Sequence, residues 1–279
     1  MTEETIVIAG CGRVGTRLGL ALAEAGHAVH GIRRRADTLP SPLRTVRADV
    51  TDAAGLAARL PRSPDRVYII LTPARYDEDA YRRTYVDGVT GVLAALRAAG
   101  GEPTRVVLVS STSVYGQQQG EWVDETSATE PSGFAGRCML EAEARLADSP
   151  FPSTAVRFAG IYGPGRNRLL NRVREQAPCP AHPPVYTNRV HEDDVVGFLR
   201  HLQGLAAPES LYLGADDEPA PRHEVMTWLA GRMGVAPPPL QTHDGSRNKR
   251  CRNTRMRASG YQLEYPGYRD GYSALLAAE

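Results

Sequence analysis

Apolar residues along this chain follow two periods in turn. Short runs at residues 6–9, 28–32, 43–48, 67–71 and 105–109 read as strands, and the fourth is near-continuously apolar, as in a strand buried on both faces. Between them the spacing becomes helical. Val14, Leu18, Leu22 and Ala25 follow the first run, and Val86, Val89, Leu93 and Leu96 mark one face of a long helix over residues 79–99. Gly26 closes the first helix, and Gly100-Gly101 closes the long one. A further helix is predicted from a cap near Asp52, and a short terminal helix over residues 268–277. Strand and helix in alternation predict an α/β fold, a doubly wound parallel sheet of Rossmann type with ligands beyond the carboxyl ends of its strands.

Candidate chemistry begins where the first strand meets the first helix. Gly10, Gly12 and Gly15 have the spacing G-x-G-x-x-G with a strand before and a helix after. Gly10 permits the tight turn, Gly12 lets backbone approach a pyrophosphate, and Gly15 lets helix pack on strand; Arg13 and Val14 complete the turn. This is a dinucleotide site. The second strand ends in Arg33, Arg34 and Arg35, where an NAD site would offer a carboxylate to the ribose 2′-hydroxyl, so NADP (NADPH) is expected rather than NAD. A solvated arginine loop is the alternative reading of that run. Asp49 and Val50 end the third strand, with Asp49 placed to accept from the adenine amino group or to serve as a turn residue. Leu71, Thr72 and Pro73 lead the chain out of the fourth strand over the cofactor, and Ser110 and Ser111 open the polar end of the fifth.

Composition narrows the class. The 279 residues are 42% hydrophobic, enough for an ordinary core, and a formal net charge of +1 exerts no global pull toward nucleic acid or membrane. No apolar run approaches the ~20 residues of a bilayer span, and the first strand begins close to Met1, so a cytoplasmic protein without a signal peptide is expected. Cys11, Cys138, Cys179 and Cys251 are scattered without metal-ligand spacing or the density of a disulfide scaffold, and no metal is expected. Cys11, inside the glycine turn, reads as a small residue that fits rather than a reactive thiol. Arg168 and Arg172 share one helical face after Arg166, and a second basic cluster runs through Arg247, Lys249, Arg250, Arg252, Arg255 and Arg257. The two clusters suggest a small anionic substrate; without aromatic interleaving in the sequence they do not argue for nucleic acid. Residues 178–184 read as a proline-rich connection of low regularity.

Five segments in order, GCGRVG, ADVTD at 48–52, SSTSVYG at 110–116, VRFAGIYGPGR at 156–166 and NRVHEDDV at 188–195, resemble the extended short-chain dehydrogenase/reductase superfamily. Within it they are similar to the NAD-dependent epimerase/dehydratase group. The resemblance implies a dinucleotide-binding domain over residues 1–155. It also implies a mainly substrate-binding portion over 156–279, with some segments returning to the first domain. It further implies that residues around Phe158 and Gly160 cover the nicotinamide, that Tyr162 and Arg166 border the substrate, and that a homodimer is an option. The family's Tyr-x-x-x-Lys pair is missing: its lysine position falls on Arg137 and its tyrosine position on Gly133. Tyr85 stands where an asparagine is expected. Such departures resemble atypical members of the superfamily, among them a bacterial subgroup with the same SSTSVYG motif and a Gly-Arg pair like Gly136-Arg137.

Glycine cannot transfer a proton, and a guanidinium stays protonated at any working pH. Ser111, Tyr115, Tyr85 and Tyr162 are the candidate proton donors by motif position, with Arg137 left to orient the cofactor ribose. His191 beside Glu192, Asp193 and Asp194 reads as a helix cap rather than a base. These residues suggest an NADP-dependent oxidoreductase acting on a carbonyl or alcohol carbon of a small anionic metabolite. An epimerase or dehydratase is the near variant, and a catalytically silent NADP-binding regulator or scaffold is the reading from another class.

Overall fold

A computed structural model of the protein describes residues 3–34, 38–242 and 248–278. In chain order its elements are β1 (Thr5–Ala9), α1 (Arg13–Glu24), β2 (Ala28–Arg33), β3 (Arg44–Arg47), α2 (Ala53–Ala57), β4 (Arg66–Ile69), α3 (Glu78–Tyr81) and α4 (Gly88–Ala98). Then come β5 (Arg105–Ser111), β6 (Glu121–Val123), α5 (Phe134–Ala147), β7 (Ser153–Phe158), β8 (Gly160–Tyr162) and α6 (Arg168–Arg174). After these come β9 (Cys179–Pro180), β10 (Tyr186–Thr187), β11 (Arg189–His191), α7 (Glu192–Gly204), β12 (Leu211–Gly214) and β13 (Ala220–Pro221). The chain ends with α8 (Arg222–Met233), β14 (Leu240–Gln241), β15 (Lys249–Cys251), α9 (Thr254–Ala258) and α10 (Tyr268–Ala277). No described helix is long and apolar enough to cross a membrane.

The chain divides into two compact units. One comprises Met1–Val114, Pro131–Arg157 and Val196–Tyr212; the other comprises Tyr115–Glu130, Phe158–Val195 and Leu213–Glu279.

A seven-stranded parallel sheet in the order β12-β7-β5-β4-β1-β2-β3 carries the first unit. From β1 the chain first builds outward through β2 and β3, then returns to the other side of β1 with β4. The strand order therefore reverses between β1 and β4, and the crevice at their carboxyl ends is where such sheets bind ligands. Alternation along β1 explains the layers. Val7 and Ala9 join the core formed with Val89, Val92 and Leu96 of α4 and Ala142 and Leu146 of α5, while Ile8 packs toward Gly15 of α1. This is the α/β, doubly wound Rossmann arrangement that the alternation of periods predicts.

Boundaries differ where tertiary contacts override the local pattern. The fifth strand extends to Ser111, so Ser110 and Ser111 belong to the sheet rather than to a loop. The long helix expected over residues 79–99 is broken by a π-helical turn, Arg82–Asp87, between α3 and α4. A π turn carries an extra residue and rephases the helix on its carboxyl side. There Gly88 and Gly91 face Leu71 and the Val50 carbonyl so closely that an added Cβ would stand 2.8 Å and 2.0 Å from them. Asp52 caps α2 as expected, its carboxylate accepting from the Gly55 N–H at 3.0 Å.

The second unit is built on four short strand pairs, β6–β15, β8–β11, β9–β14 and β10–β13. Its core gathers Tyr162, Leu170, Val173, Cys179, Met226, Leu229, Tyr268 and Tyr272. The proline-rich stretch 178–184 is less irregular than its composition suggests: Cys179 is buried, donates its N–H to the Pro239 carbonyl at 2.9 Å and begins a strand parallel to β14.

Candidate functional site

At the head of β1 the three glycines do different work. Gly10 has φ +91° and lies against β4, where an added Cβ would fall 2.2 Å from the Ile70 carbonyl oxygen. A Cβ on Gly15 would fall 2.7 Å from the Gly10 carbonyl, so close helix-on-strand packing forbids one. Gly12 is different: a Cβ there would meet nothing of the described residues within 4 Å. Packing among the described residues does not demand glycine at 12, and the space above it is open to a ligand. Gly12 caps α1 without a side-chain hydrogen bond and no acid stands in the first turn, so the helix presents its N–H groups and positive dipole end beside Arg13 and Val14. The donor set fits a pyrophosphate. Cys11 is buried, and burial pushes its thiol pKa up against the opposing effects of Thr16 and Arg33, the chemistry of an inert residue.

Beside this turn lies a cleft of about 290 Å³ lined by Arg34, Arg47, Ala48, Asp49, Asp52, Gly55 and Arg59. Arg34, Arg47 and Arg59 are exposed, at the ends of β2, β3 and α2. Arg33 closes β2 and is half-buried; Arg35 lies outside the described residues. Partial burial tends to raise the Asp49 pKa, but the Thr51 N–H and hydroxyl, at 3.0 Å and 2.8 Å, together with Arg34 and Arg83 outweigh it and hold the carboxyl below the usual range. Val50, Leu71 and Pro73 are half-buried and Thr72 is exposed.

The end of β5 divides its two serines. Ser110 is buried and its hydroxyl donates to Glu143 of α5, whose carboxylate also receives Arg157 of β7 through Nε at 3.0 Å and Nη2 at 2.7 Å. The Ser110 side chain is thus committed inside the unit and is not available to a cofactor, a correction to its sequence assignment. Ser111 differs. Its Oγ accepts the Ser113 N–H at 3.1 Å, which leaves its proton without an acceptor among the described residues. Gly136 lets α5 approach this turn: a Cβ there would lie 2.3 Å from the Ser113 carbonyl. Arg137, half-exposed on α5, donates to Glu78 at 3.3 Å and to the Ser132 carbonyl at 3.4 Å.

Gly133, at the missing tyrosine's position, is the N-cap of α5, and Phe134 beside it joins Tyr76 and Tyr81 at centroid distances of 5.1 and 5.3 Å. Tyr85, on the π turn, packs 5.4 Å from Tyr81, and burial raises its hydroxyl pKa so that it stays protonated.

The second unit corrects several assignments. Tyr115 is buried and its hydroxyl donates to the Asp124 carbonyl at 2.7 Å, a packing contact rather than proton-transfer geometry. Phe158 is buried with its ring against Gly214, where a Cβ would come within 2.3 Å, so its side chain is committed to packing inside the unit. Gly160 is exposed at the start of β8, opposite Arg189 of β11. Tyr162 is buried and stacks on Tyr272 at 4.6 Å; burial raises its pKa, and its hydroxyl has no partner among the described residues. His191 is buried and accepts the Asp193 N–H on Nδ1 at 3.2 Å, as a capping residue does.

The second unit's arginines are not one cradle either. Arg166 pairs with buried Glu192 at 2.8 Å and Arg172 donates to the Pro178 carbonyl at 3.3 Å, while Arg168 is exposed on α6. In the second basic cluster Arg247 lies outside the described residues. Arg250 sits between the rings of Trp122 and Tyr186 at 4.9 and 4.8 Å, aromatic interleaving that only the tertiary structure creates.

Sequence reading missed Arg47 and Arg59, which reach the Arg34 cleft from separate elements, and the Glu143–Arg157 pair. The latter carried a signal: an arginine inside the apolar strand STAVRF needs a buried carboxylate.

Comparison with known proteins agrees with this fold. The model of the NAD dependent epimerase/dehydratase family matches residues 6–182. The chain is 30% identical over 305 aligned residues to a 3-diazoavenalumate denitrifying reductase of a Streptomyces species, an alignment covering 95% of this chain and 98% of that one. A solved structure from Methylobacillus flagellatus, itself provisionally an NAD-dependent epimerase/dehydratase, is similar with TM-score 0.84 and 41% identity over 99% of both chains. The Bordetella bronchiseptica enzyme WbmG in complex with NAD and UDP shares the fold, with TM-score 0.82 at 18% identity over 99% of this chain and 94% of that one. With a glycine turn opening a helix at the switch point of a parallel sheet, the chain belongs to the NAD-dependent epimerase/dehydratase family and is an NAD(P)-dependent enzyme of its oxidoreductase and epimerase type.

Proposed function

We propose that the protein is an NADP-dependent oxidoreductase that acts on a carbonyl or alcohol carbon of a small anionic metabolite. The observation that carries the coenzyme choice is the cleft in which Arg34, Arg47 and Arg59 converge from three elements. Exposed guanidinium groups surround a dianionic 2′-phosphate with little desolvation to overcome, and each offers a fork of donors to its oxygens. The α1 N-terminus with Gly12 holds the pyrophosphate, and Arg137 orients the ribose. Bound NADP supplies or accepts a hydride. Ser111 supplies the hydrogen bond that polarises the substrate oxygen, a role that suits a hydroxyl whose lone pair is already occupied by the Ser113 N–H. Arg168 on the open face of α6 supports the anionic character of the substrate.

A second reading, an NAD-dependent epimerase, is favoured by the carboxylates of Asp49 and Asp52 in the same cleft, since a carboxylate there suits a ribose hydroxyl and repels a phosphate. One titration separates the two. Calorimetry is expected to give NADPH a dissociation constant at least ~tenfold below that of NADH, a preference that Arg34→Glu with Arg47→Glu abolishes. Equal affinities in the unmodified protein would overturn the NADP reading, and tighter NADH would support the second.

A further inference from the structure

The chain contains a single lysine, Lys249, beside 32 arginines. A protein that uses arginine wherever a cation meets solvent has kept the compact ammonium at one place, and that place is buried: Lys249 is 6% exposed. Lysine is almost never buried so far without a task, because its charge loses its hydration. Its Nζ donates to the backbone carbonyl of Tyr115 at 3.4 Å. Tyr115 belongs to the SSTSVYG segment, directly after the turn whose Ser113 N–H is held on Ser111.

The surroundings of Lys249 are built to hold it still. The Asn188 side-chain amide donates to the Lys249 carbonyl at 2.9 Å, and its oxygen accepts the Cys251 N–H at 2.6 Å. One residue earlier, the Asn248 side chain accepts the Tyr186 N–H at 2.8 Å and donates to the Pro184 carbonyl at 2.9 Å. The receiving end is fixed too. The Tyr115 hydroxyl is anchored on the Asp124 carbonyl, and Gly116 lies so close to Glu130 that a Cβ would come within 2.1 Å of its carbonyl oxygen.

We propose that Lys249 is a positioning residue for the reaction: its ammonium holds the Tyr115 carbonyl and so fixes the end of the segment that presents Ser111. The proposal rests on the coenzyme and Ser111 roles given above. Arginine does not substitute, because a planar guanidinium is larger than an ammonium and carries five donors in a fixed fork rather than three on a compact, rotating head.

A single lysine makes the test direct. In protein labelled with 13C and 15N on lysine alone, one side-chain signal is expected, and it should move as NADPH is titrated to saturation while calorimetry follows binding in the same samples. Lys249→Met should weaken NADPH by at least about fivefold, and Lys249→Arg should not restore it. NADPH binding that leaves the lysine signal unmoved overturns the inference and leaves the coenzyme reading intact. Absence of NADPH binding removes the coenzyme reading and this inference with it. If Lys249→Met does not fold, the signal in the unmodified protein decides alone; if Lys249→Arg binds NADPH normally, only positive charge matters and the positioning role is wrong.

Discussion

The arginine cleft of the first unit and the buried charges of the second are held in opposite ways. At the strand ends of the first, Arg34, Arg47 and Arg59 are exposed around a cleft. In the second, Arg189, Glu192, Asp194 and Lys249 are buried, each with polar partners in the same unit. Asp194, for instance, accepts the Glu264 and Tyr265 N–H groups at 2.7 and 3.0 Å and the Tyr261 hydroxyl at 3.0 Å. Exposed charges can reorganise around an anion, whereas buried ones have their partners fixed and shape the scaffold. The contrast separates arginines that line an open cleft from arginines that hold the fold, a distinction that counting basic residues along the chain does not make.

The sharpest challenge to that division comes from the first unit's own buried pair, Glu143–Arg157, with side chains 11% and 7% exposed. Removing one partner leaves an uncompensated buried charge and also strips Ser110 of its acceptor. Glu143→Ala is therefore expected to destabilise by ~3–5 kcal/mol in urea denaturation, while replacing both members by apolar residues of similar volume recovers most of the loss. A loss below ~1 kcal/mol would show that the pair behaves like a surface ion pair and that burial does not separate the two classes.

The second unit offers a pH test. Asp216 is buried, and burial pushes its pKa up to about 8 against the pull of Arg189, with Glu218 and Asp217 adding to the rise. A carboxyl whose folded pKa is raised keeps its proton in the folded state after the unfolded chain has released it. Its contribution to stability is complete below the unfolded pKa and falls as pH rises, between about pH 4 and pH 8, with a slope of at most ~1.4 kcal/mol per pH unit. Asp216→Asn is expected to flatten that window in denaturation measured across pH. An unchanged pH profile would mean that Arg189, 4.0 Å away, keeps the carboxylate ionised.

A smaller pair of effects separates fold from ligand within the glycine turn. Gly10→Ala meets both a φ of +91° and the Ile70 carbonyl, and is expected to lose at least ~1–2 kcal/mol of stability. Gly12→Ala meets no atom of the described residues within 4 Å and has φ −78°, so its stability should change by less than about 0.5 kcal/mol while NADPH binding is lost. If NADPH binds the Gly12→Ala variant normally, the pyrophosphate does not lie over that turn.

Legibility in the sequence tracks the range of the interactions involved. The glycine turn, the Asp52 cap and the terminal helix Tyr268–Ala277 are set by residues within a few positions of one another, and their signatures sit in contiguous stretches. The π turn Arg82–Asp87 escaped because apolar spacing through residues 79–99 fits an uninterrupted helix; what matters is where Gly88 and Gly91 meet Leu71 and Val50, and that is tertiary. Arg47 and Arg59 escaped for the same reason, since nothing local assigns them to the Arg34 cleft. Tyr115 misled because a tyrosine beside catalytic-looking serines carries no mark of whether its hydroxyl faces a ligand or the Asp124 carbonyl. Local chemistry was legible; convergence from separate elements was not.

The smallest expected effect is the most discriminating for the cleft, because one residue there holds the fold and lines the cleft at once. Asp52 caps α2 through the Gly55 N–H and also lines the cleft with Arg34, Arg47 and Arg59. Asp52→Ala removes the cap and is expected to destabilise by ~1 kcal/mol, while taking a negative charge away from the proposed phosphate site. Asn caps about as well as Asp, so Asp52→Asn should leave thermal stability nearly unchanged and tighten NADPH, in calorimetry, without tightening NADH. The two substitutions thus agree in coenzyme affinity and differ in stability. Should Asp52→Asn tighten NADH as much as NADPH, the carboxylate acts on the coenzyme through general charge alone, and the cleft does not hold the 2′-phosphate.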